Sequence, residues 1–470
     1  MAENDSGIAQ LVARARSAQA ISDGYDQDRV NELISAAGWA ILEPSRNRQL
    51  AELAVAATGI GDINDKVSKN YRKTLGLLRD LHGAKTVGVI SEDADKGLIE
   101  IARPVGVVCA ITPSTNPAAT PANKIINALA CRNAVIVAPS PKGWSTADRL
   151  IQFIHQQFDR IGAPRDLVQV LPFPVTKAGT AELMRQCDLV VATGSSANVR
   201  SAYTSGTPAF GVGAGNVAGI VDETADIAMA ADRIVRSKTF DHATSCSSEN
   251  SIVVVSAVRE ALIQALGDRG TVVLNQAQKQ SLQKIMWPDG YLSPAVIGHS
   301  AADIARQMSL DSTSAAKAKV LLVEEDAQKG FGQAYPFSGE KLSPVLTLYT
   351  AQDFNDAKRI VCAIYAHQGA GHSVGLHSRL DERALDLGLN LPVARVIHNQ
   401  AHCIATGGSF ENGLPFSLSM GCGTWGKNNF SDNMNYLHYM NRTRVSRPIA
   451  SREPSTDDLL RVFFQRYGKV

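Results

Sequence analysis

The sequence predicts an α/β fold: two doubly wound parallel-sheet domains with a small β-arm. Three observations carry this expectation. Short apolar runs alternate with helical patterns from Val105 through the stretch after Gly194, and the same alternation restarts near Ser251. The chain has 470 residues, 44% of them hydrophobic, enough for two cores and too many for one ordinary domain.

In chain order, the first 85 residues read as a helical lead-in, because apolar residues recur at helical spacing in Ile8, Leu11, Val12 and Ala15, from Val30 to Ile41, and from Leu50 to Ala57. Two short strands, Thr86 to Ile90 and Leu98 to Arg103, flank the polar turn SEDADKG and form a hairpin over residues 86–103. The first alternating block then runs GVVCAI, a helix from Pro117, AVIVA, a helix from Ser145, LVQVL, a helix from Lys177, DLVVATG, and a helix after Gly194. The second runs SIVVV, a helix from Val258, KVLLVEE, VLTLY, a helix from Phe354, SVGLHS and RVIHNQ. These blocks divide the chain into residues 1–236, residues 237–430, and a segment 431–470 that returns to the first domain. No internal repeat or low-complexity tract is evident.

Bulk properties narrow the function. The 47 basic and 45 acidic residues leave a net charge of +2 with no run of like charge, which argues against nucleic acid and for a small-molecule partner. The N-terminal stretch lacks the apolar segment of a secretory signal, and no apolar run approaches 18 residues, so a cytoplasmic protein with no membrane association is expected. Seven cysteines, without a CxxC pair or Cys/His cluster, suit reduced thiols and no metal.

Among those cysteines, Cys246 stands in KTFDHATSCSSENSIVVV, on a loop that feeds a strand, where a thiol can meet a substrate. Cys109, Cys131 and Cys362 lie within apolar patterns and are expected to be buried and inert. Asn116 follows a strand in a Pro-rich turn and precedes Pro117, which suits a first helical turn; an amide there can stabilise an oxyanion or simply cap the helix. Gly194 closes the strand DLVVAT and opens a helix, so a helix N-terminus can face a pyrophosphate.

Taken together, ITPSTNP, ATGSSANVRSAY, GVGAGN, the segment around Cys246, EKLSPVL, GAGHSVGLHS and GCGTWGKN make the chain resemble the aldehyde dehydrogenase superfamily, and within it the CoA-acylating branch, from about residue 8 to about 445. The resemblance implies an aldehyde dehydrogenase-like fold in which residues 1–236 bind the nicotinamide cofactor and 237–430 carry the nucleophile. It implies that Cys246 attacks the aldehyde carbon, that Asn116 and the Cys246 backbone N–H hold the oxyanion, and that a thioester on Cys246 passes to coenzyme A. It places cofactor contacts at Thr112, Pro113, Gly194, Ser195, Gly213 and Glu340. It also implies that the hairpin and the segment near 436–450 form an oligomerisation arm of a homodimer or homotetramer.

Hydrolytic members carry a glutamate in an ELGGK-like motif; Gly211 of FGVGAGN stands at that position. Without a general base the thioester should survive until a thiol arrives, since a thiol needs less help than water. Ala138 replaces the lysine that relatives place near the adenosine ribose, while Ser140 and Lys142 could satisfy a 2′-phosphate, so NADP is favoured over NAD. Around the nucleophile, His242, Thr244 and Ser245, with Arg395 and His402 farther on, could present donors to an anionic substrate tail. The resemblance is to enzymes of sulfoacetaldehyde first and succinic semialdehyde next. The alternatives are hydrolytic oxidation of an aldehyde and a non-enzymatic role for a retained dehydrogenase fold.

Overall fold

A computed structural model describes residues 2–469. Four helices lead the chain: α1 (Ala2–Ser22), α2 (Gln27–Leu42), α3 (Pro44–Thr58) and α4 (Ile63–Leu81). Asp26 and Asp62 cap α2 and α4 by accepting backbone N–H groups of their first turns, and Gly59, at φ +70°, closes α3 in a left-handed conformation. The first three helices turn apolar stripes, among them Leu11, Val30, Leu33 and Leu50, to the core. The fourth is different: it buries Lys66, Lys69, Asn70 and Thr74.

Strands β1 (Gly88–Asp93) and β2 (Leu98–Pro104) form the hairpin, followed by β3 (Val107–Thr112), β4 (Ala134–Pro139), β5 (Val168–Val170), β6 (Leu189–Thr193) and β7 (Ala209–Val212). Then come β8 (Val217–Val221), β9 (Glu249–Val255), β10 (Thr271–Val273), β11 (Val320–Glu324), β12 (Val345–Ala351), β13 (Val374–His377), β14 (Val396–His398) and β15 (Met440–Ser446). One parallel sheet has the order β5-β4-β3-β6-β7, and a second, also parallel, has β10-β11-β12-β9-β8-β13-β14. The expected pair of doubly wound sheets is therefore present, and β1-β2-β15 forms the small antiparallel arm.

Strand order reverses at β3/β6, the crevice where open parallel sheets bind ligands at their carboxyl ends. Lys124, fully buried, pins this fork by donating to the carbonyls of Ile111 at 2.6 Å and Val191 at 2.8 Å.

The change of sheet comes earlier than the expected boundary at 236/237. Strand β8 pairs with β9 and β13, so the crossing falls between Val212 and Val217. All five residues of β8 are buried, which removes the polar alternation that would mark a strand in sequence. At the other end, Met434, Tyr439 and Met440 pack into the core of the first sheet, and Phe416 does so already before residue 431. Cys109 and Cys131 are buried as expected, but Cys362 is exposed on the helix Phe354–His367. Among the described residues no helix is long and apolar enough to cross a membrane.

Candidate active site

Cys246 lies just before β9, and the turn from β7 to β8 runs directly against it: a Cβ placed on Gly215 would stand 2.3 Å from the Cys246 carbonyl oxygen. Only glycine permits that approach, so the GVGAGN run is a close-contact turn that sets Cys246 at the junction of the two sheets. The three residues before Thr244 are strained. Asp241, His242 and Ala243 have φ of +50°, +49° and +58°, values that cost about 1–2 kcal/mol per non-glycine residue.

What holds them is a buried ion cluster. The Asp241 carboxylate, fully buried, accepts from Lys69 Nζ at 2.5 Å, Lys66 Nζ at 3.1 Å and Thr244 Oγ1 at 2.7 Å. Its pKa is lowered: the two ammonium groups and these hydrogen bonds outweigh a burial penalty that acts the other way. Lys69 continues to Asn116, donating to Oδ1 at 2.8 Å, and Lys66 donates to the Thr115 carbonyl at 3.0 Å. Helix α4 thereby ties the Asn116 turn, at the carboxyl end of β3, to the loop that carries Cys246.

The Cys246 thiol lies 3.5 Å from His372 Nε2, and His372 Nδ1 lies 2.7 Å from Ser373 Oγ. Burial pushes the thiol up, reinforced by the nearby Glu340 carboxyl; burial, with Arg395 behind it, pushes the imidazole down to about 3. Both groups are neutral at rest. An N–H at Nδ1 donating to Ser373 leaves Nε2 as the acceptor facing the thiol. The Cys246 backbone N–H makes no hydrogen bond to the described residues. His372 belongs to the GAGHSVGLHS motif, yet the sequence assigned it no role.

Glu340 accepts from the Gly215 N–H at 3.2 Å, beside the same turn, and burial raises its carboxyl to about 8. A Cβ on Gly211 would meet Val199 Cγ1 at 2.7 Å and the Tyr203 ring at 3.3 Å, so neighbouring side chains fill the space into which residue 211 would project. Gly213 has no such crowding; its nearest neighbour is Ser196 Oγ at 3.8 Å.

A cleft at the carboxyl ends of β3 and β4 is lined by Thr112, Ser140, Thr176, Lys177, Asn198 and Ser201, among others. Thr112 Oγ1 and Ser140 Oγ are both buried without a protein hydrogen-bond partner. Orphaned hydroxyls at a switch-point crevice fit a nucleotide whose ribose and phosphates supply the missing partners. Pro113 and Gly194 sit at the adjoining strand ends. Ser195 spends its side chain capping the helix Ser196–Tyr203. Lys142 is exposed and does not line the cleft; Lys177 does, a residue for which the sequence carried no signal beyond a helix start.

The expected tail-binding set divides. Ser245 borders a second small cleft beside Cys246, together with Asn116 and Lys69, Arg72 and Lys73 of α4. Thr244 is buried and committed to Asp241, and His242 Nδ1 lies against the Gly298 carbonyl at 3.0 Å. Arg395 is not available to a substrate: its guanidinium contacts Asn433 Oδ1 and the carbonyls of His372, Gly421 and Ser431. His402 is buried behind the loop, its Nδ1 2.9 Å from the Ser247 carbonyl. Both buttress the site; their long-range partners are invisible in sequence.

The aldehyde dehydrogenase family profile matches residues 2–283, more than half of the chain. The chain belongs to the aldehyde dehydrogenase family. Within it, the chain is 62% identical over 462 residues to the acylating sulfoacetaldehyde dehydrogenase of Cupriavidus necator, covering 98% of this chain and 93% of that one. It is 34% identical over 443 residues to the acetylating succinate-semialdehyde dehydrogenase of Clostridium kluyveri, covering 94% and 96%. The crystal structure of an acetylating aldehyde dehydrogenase from Geobacillus thermoglucosidasius superposes with a TM-score of 0.91 at 32% identity, over 96% of this chain and 99% of that one. Family membership accords with the expected α/β architecture and with the resemblance to the acylating branch.

Proposed function

We propose that the chain is a CoA-acylating aldehyde dehydrogenase that converts a short anionic aldehyde, sulfoacetaldehyde foremost, to its acyl-CoA through a thioester on Cys246. One observation carries the reading: a nucleophile flanked by a neutral imidazole and an oriented amide, with glycine where hydrolytic relatives place a carboxylate.

The Cys246 sulfur attacks the carbonyl carbon while its proton passes to His372 Nε2, and the carbonyl oxygen gathers donors from Asn116 Nδ2 and the Cys246 N–H. Loss of the hydride from the thiohemiacetal carbon, for which a bound nicotinamide would be the acceptor, leaves a thioester on Cys246; His372 releases its proton to solvent. The thiol of CoA then attacks the thioester, its proton passing through His372 to the departing Cys246 sulfur. One aldehyde, one CoA and one oxidised cofactor thus give one acyl-CoA, one reduced cofactor and one proton.

Thr112, Ser140 and the helix start after Gly194 would hold the cofactor, with Glu340 beside the turn at Gly215. The reading favours NADP, with Ser140 and Lys177 taking the 2′-phosphate in place of the Ser140 and Lys142 pair expected from sequence. The arm β1-β2-β15, with Val89 and Val445 exposed, would serve a second copy of the chain, giving a homodimer or homotetramer. Succinic semialdehyde is the second candidate, favoured by the 34% identical relative.

Initial rates with sulfoacetaldehyde, succinic semialdehyde and acetaldehyde, each with and without CoA and with either cofactor, test the proposal. CoA-dependent reduction of NADP, fastest with sulfoacetaldehyde, is expected. Full rates in CoA-free buffer would overturn it.

A further inference from the structure

Three cations on one face of α4, Lys69, Arg72 and Lys73, stand at the i, i+3 and i+4 spacing that stacks side chains together, and all three line the small cleft bounded by Asn116 and Ser245. The rest of the lining is Phe240, over which the Lys69 ammonium sits at 5.4 Å, with Cys403, Ile404 and Leu418. Cationic and apolar side chains thus share one small cleft beside Ser245, the residue before Cys246, a combination that suits an anion carried on a short apolar chain.

The three cations are not equivalent. Lys69 is committed to Asp241 and Asn116. Lys73 donates to the carbonyls of Gly407 at 2.5 Å and Gly408 at 3.2 Å, and its ammonium sits 5.5 Å from the centre of the Phe416 ring. Arg72 makes no hydrogen bond and no ion pair with any described residue, although it is only partly exposed. Its surroundings add to the imbalance. Burial lowers its pKa, and the next cause is another guanidinium, Arg236, at the end of the helix Ile227–Thr239; Cys403 and Glu411 act the other way. Withdrawing a guanidinium from water without a partner is unfavourable, and placing a second one near it adds repulsion; an anion arriving between them relieves both.

We propose that Arg72 is the residue that binds the anionic tail of the substrate, with Lys73 beside it, and that this cleft selects a short oxyanion-terminated aldehyde over a neutral one. The assignment rests on the reading of Cys246 as the nucleophile. A planar guanidinium presents paired N–H donors that match two oxygens of a sulfonate, and Asn116 and Ser245 on the same cleft put the carbonyl end of the same molecule at Cys246. Helix α4 would then serve two ends of the substrate, Lys69 through Asn116 at the carbonyl and Arg72 at the tail.

The test requires no turnover, CoA or cofactor, so it remains readable if the proposed reaction is wrong. Alkylation of the Cys246 peptide by iodoacetamide is followed by mass spectrometry with increasing ethanesulfonate at constant ionic strength, in the wild type, Arg72→Ala and Arg72→Lys. The exposed Cys362 peptide is the internal control. Ethanesulfonate should protect Cys246 and not Cys362. The half-protecting concentration should rise about 10- to 100-fold in Arg72→Ala, the range of one charge-assisted hydrogen bond, and less in Arg72→Lys. Equal protection in wild type and Arg72→Ala, or protection no greater than sodium chloride gives, would overturn the assignment, and stronger protection by propionate would overturn its sulfonate form. A parallel fall in the ratio of kcat/KM for sulfoacetaldehyde over acetaldehyde is expected in Arg72→Ala; an unchanged ratio counts against the proposal.

Discussion

Lys69 fixes which way Asn116 faces. Its ammonium can only donate, and it lies 2.8 Å from Asn116 Oδ1, so the amide must turn its NH2 group away from α4. An asparagine that could flip would offer an oxyanion its carbonyl half of the time. The lysine removes that freedom, and Asp241 holds the lysine in turn.

If so, Asn116→Ala should lower kcat by about 100- to 1000-fold, as loss of an oxyanion donor does. Lys69→Met should lower it by a smaller factor, and adding Lys69→Met to Asn116→Ala should cost little more in turnover. Pre-steady-state cofactor reduction checks this; fully multiplicative losses would separate the two residues.

His372 is expected to move the proton of Cys246. His372→Gln should slow thioester formation by about 100- to 10,000-fold, the range of positioned acid–base groups, with cofactor affinity changed less than about twofold. Single-turnover fluorescence of the reduced cofactor reads the first step, and a titration of its quenching reads the second.

Installing the missing carboxylate should fail. A side chain at residue 211 runs into Val199, so Gly211→Glu is expected to destabilise the fold by about 1–3 kcal/mol without raising the CoA-independent rate. Urea unfolding and a CoA-free assay measure the two outcomes. A gain in hydrolysis would show that the helix Ser196–Tyr203 yields easily.

Three buried imidazoles should make the protein acid-sensitive. His372 and His377 are held down to about 3 and His402 to about 4, chiefly by burial. In the unfolded chain each takes a proton near pH 6.5. Between those values the unfolded state binds more protons, so the stabilisation is complete above about pH 6.5 and is lost as pH falls toward 4, by up to about 1.4 kcal/mol per pH unit for each group. Urea midpoints from pH 7 to 4.5 should show the slope, and His377→Gln should flatten it.

Much of the scaffold was legible because parallel strands announce themselves as apolar runs between helical patterns. The runs that escaped were AFGV, half-buried, and VAGIV, fully buried, both short and interrupted by glycine, and missing them moved the domain boundary some twenty residues too late. Cys246, Asn116 and Gly211, proposed as nucleophile, oxyanion donor and site of the absent base, could be picked out from local motifs. Lys69, Arg72 and Lys73 could not, since they sit about 170 residues from Cys246 on a helix that resembles an ordinary solvated face; their shared spacing was the one available signal. Arg395 and His402 misled for the converse reason: a polar residue on a loop near the site reads as a ligand until its buried partners are seen.

The left-handed run Asp241–Ala243 joins the nucleophile to a helix laid down at the start of the chain. Its ties are polar, to Lys66, Lys69, Asp62, Asp65 and Gly298, while the sheets on either side rest on extensive apolar cores. A strained backbone held by polar ties is expected to open before the apolar sheets it joins. Gentle warming or dilute urea should therefore silence the enzyme while its spectroscopic signature of folding is still intact, and restoring the solvent should bring activity back without refolding either domain.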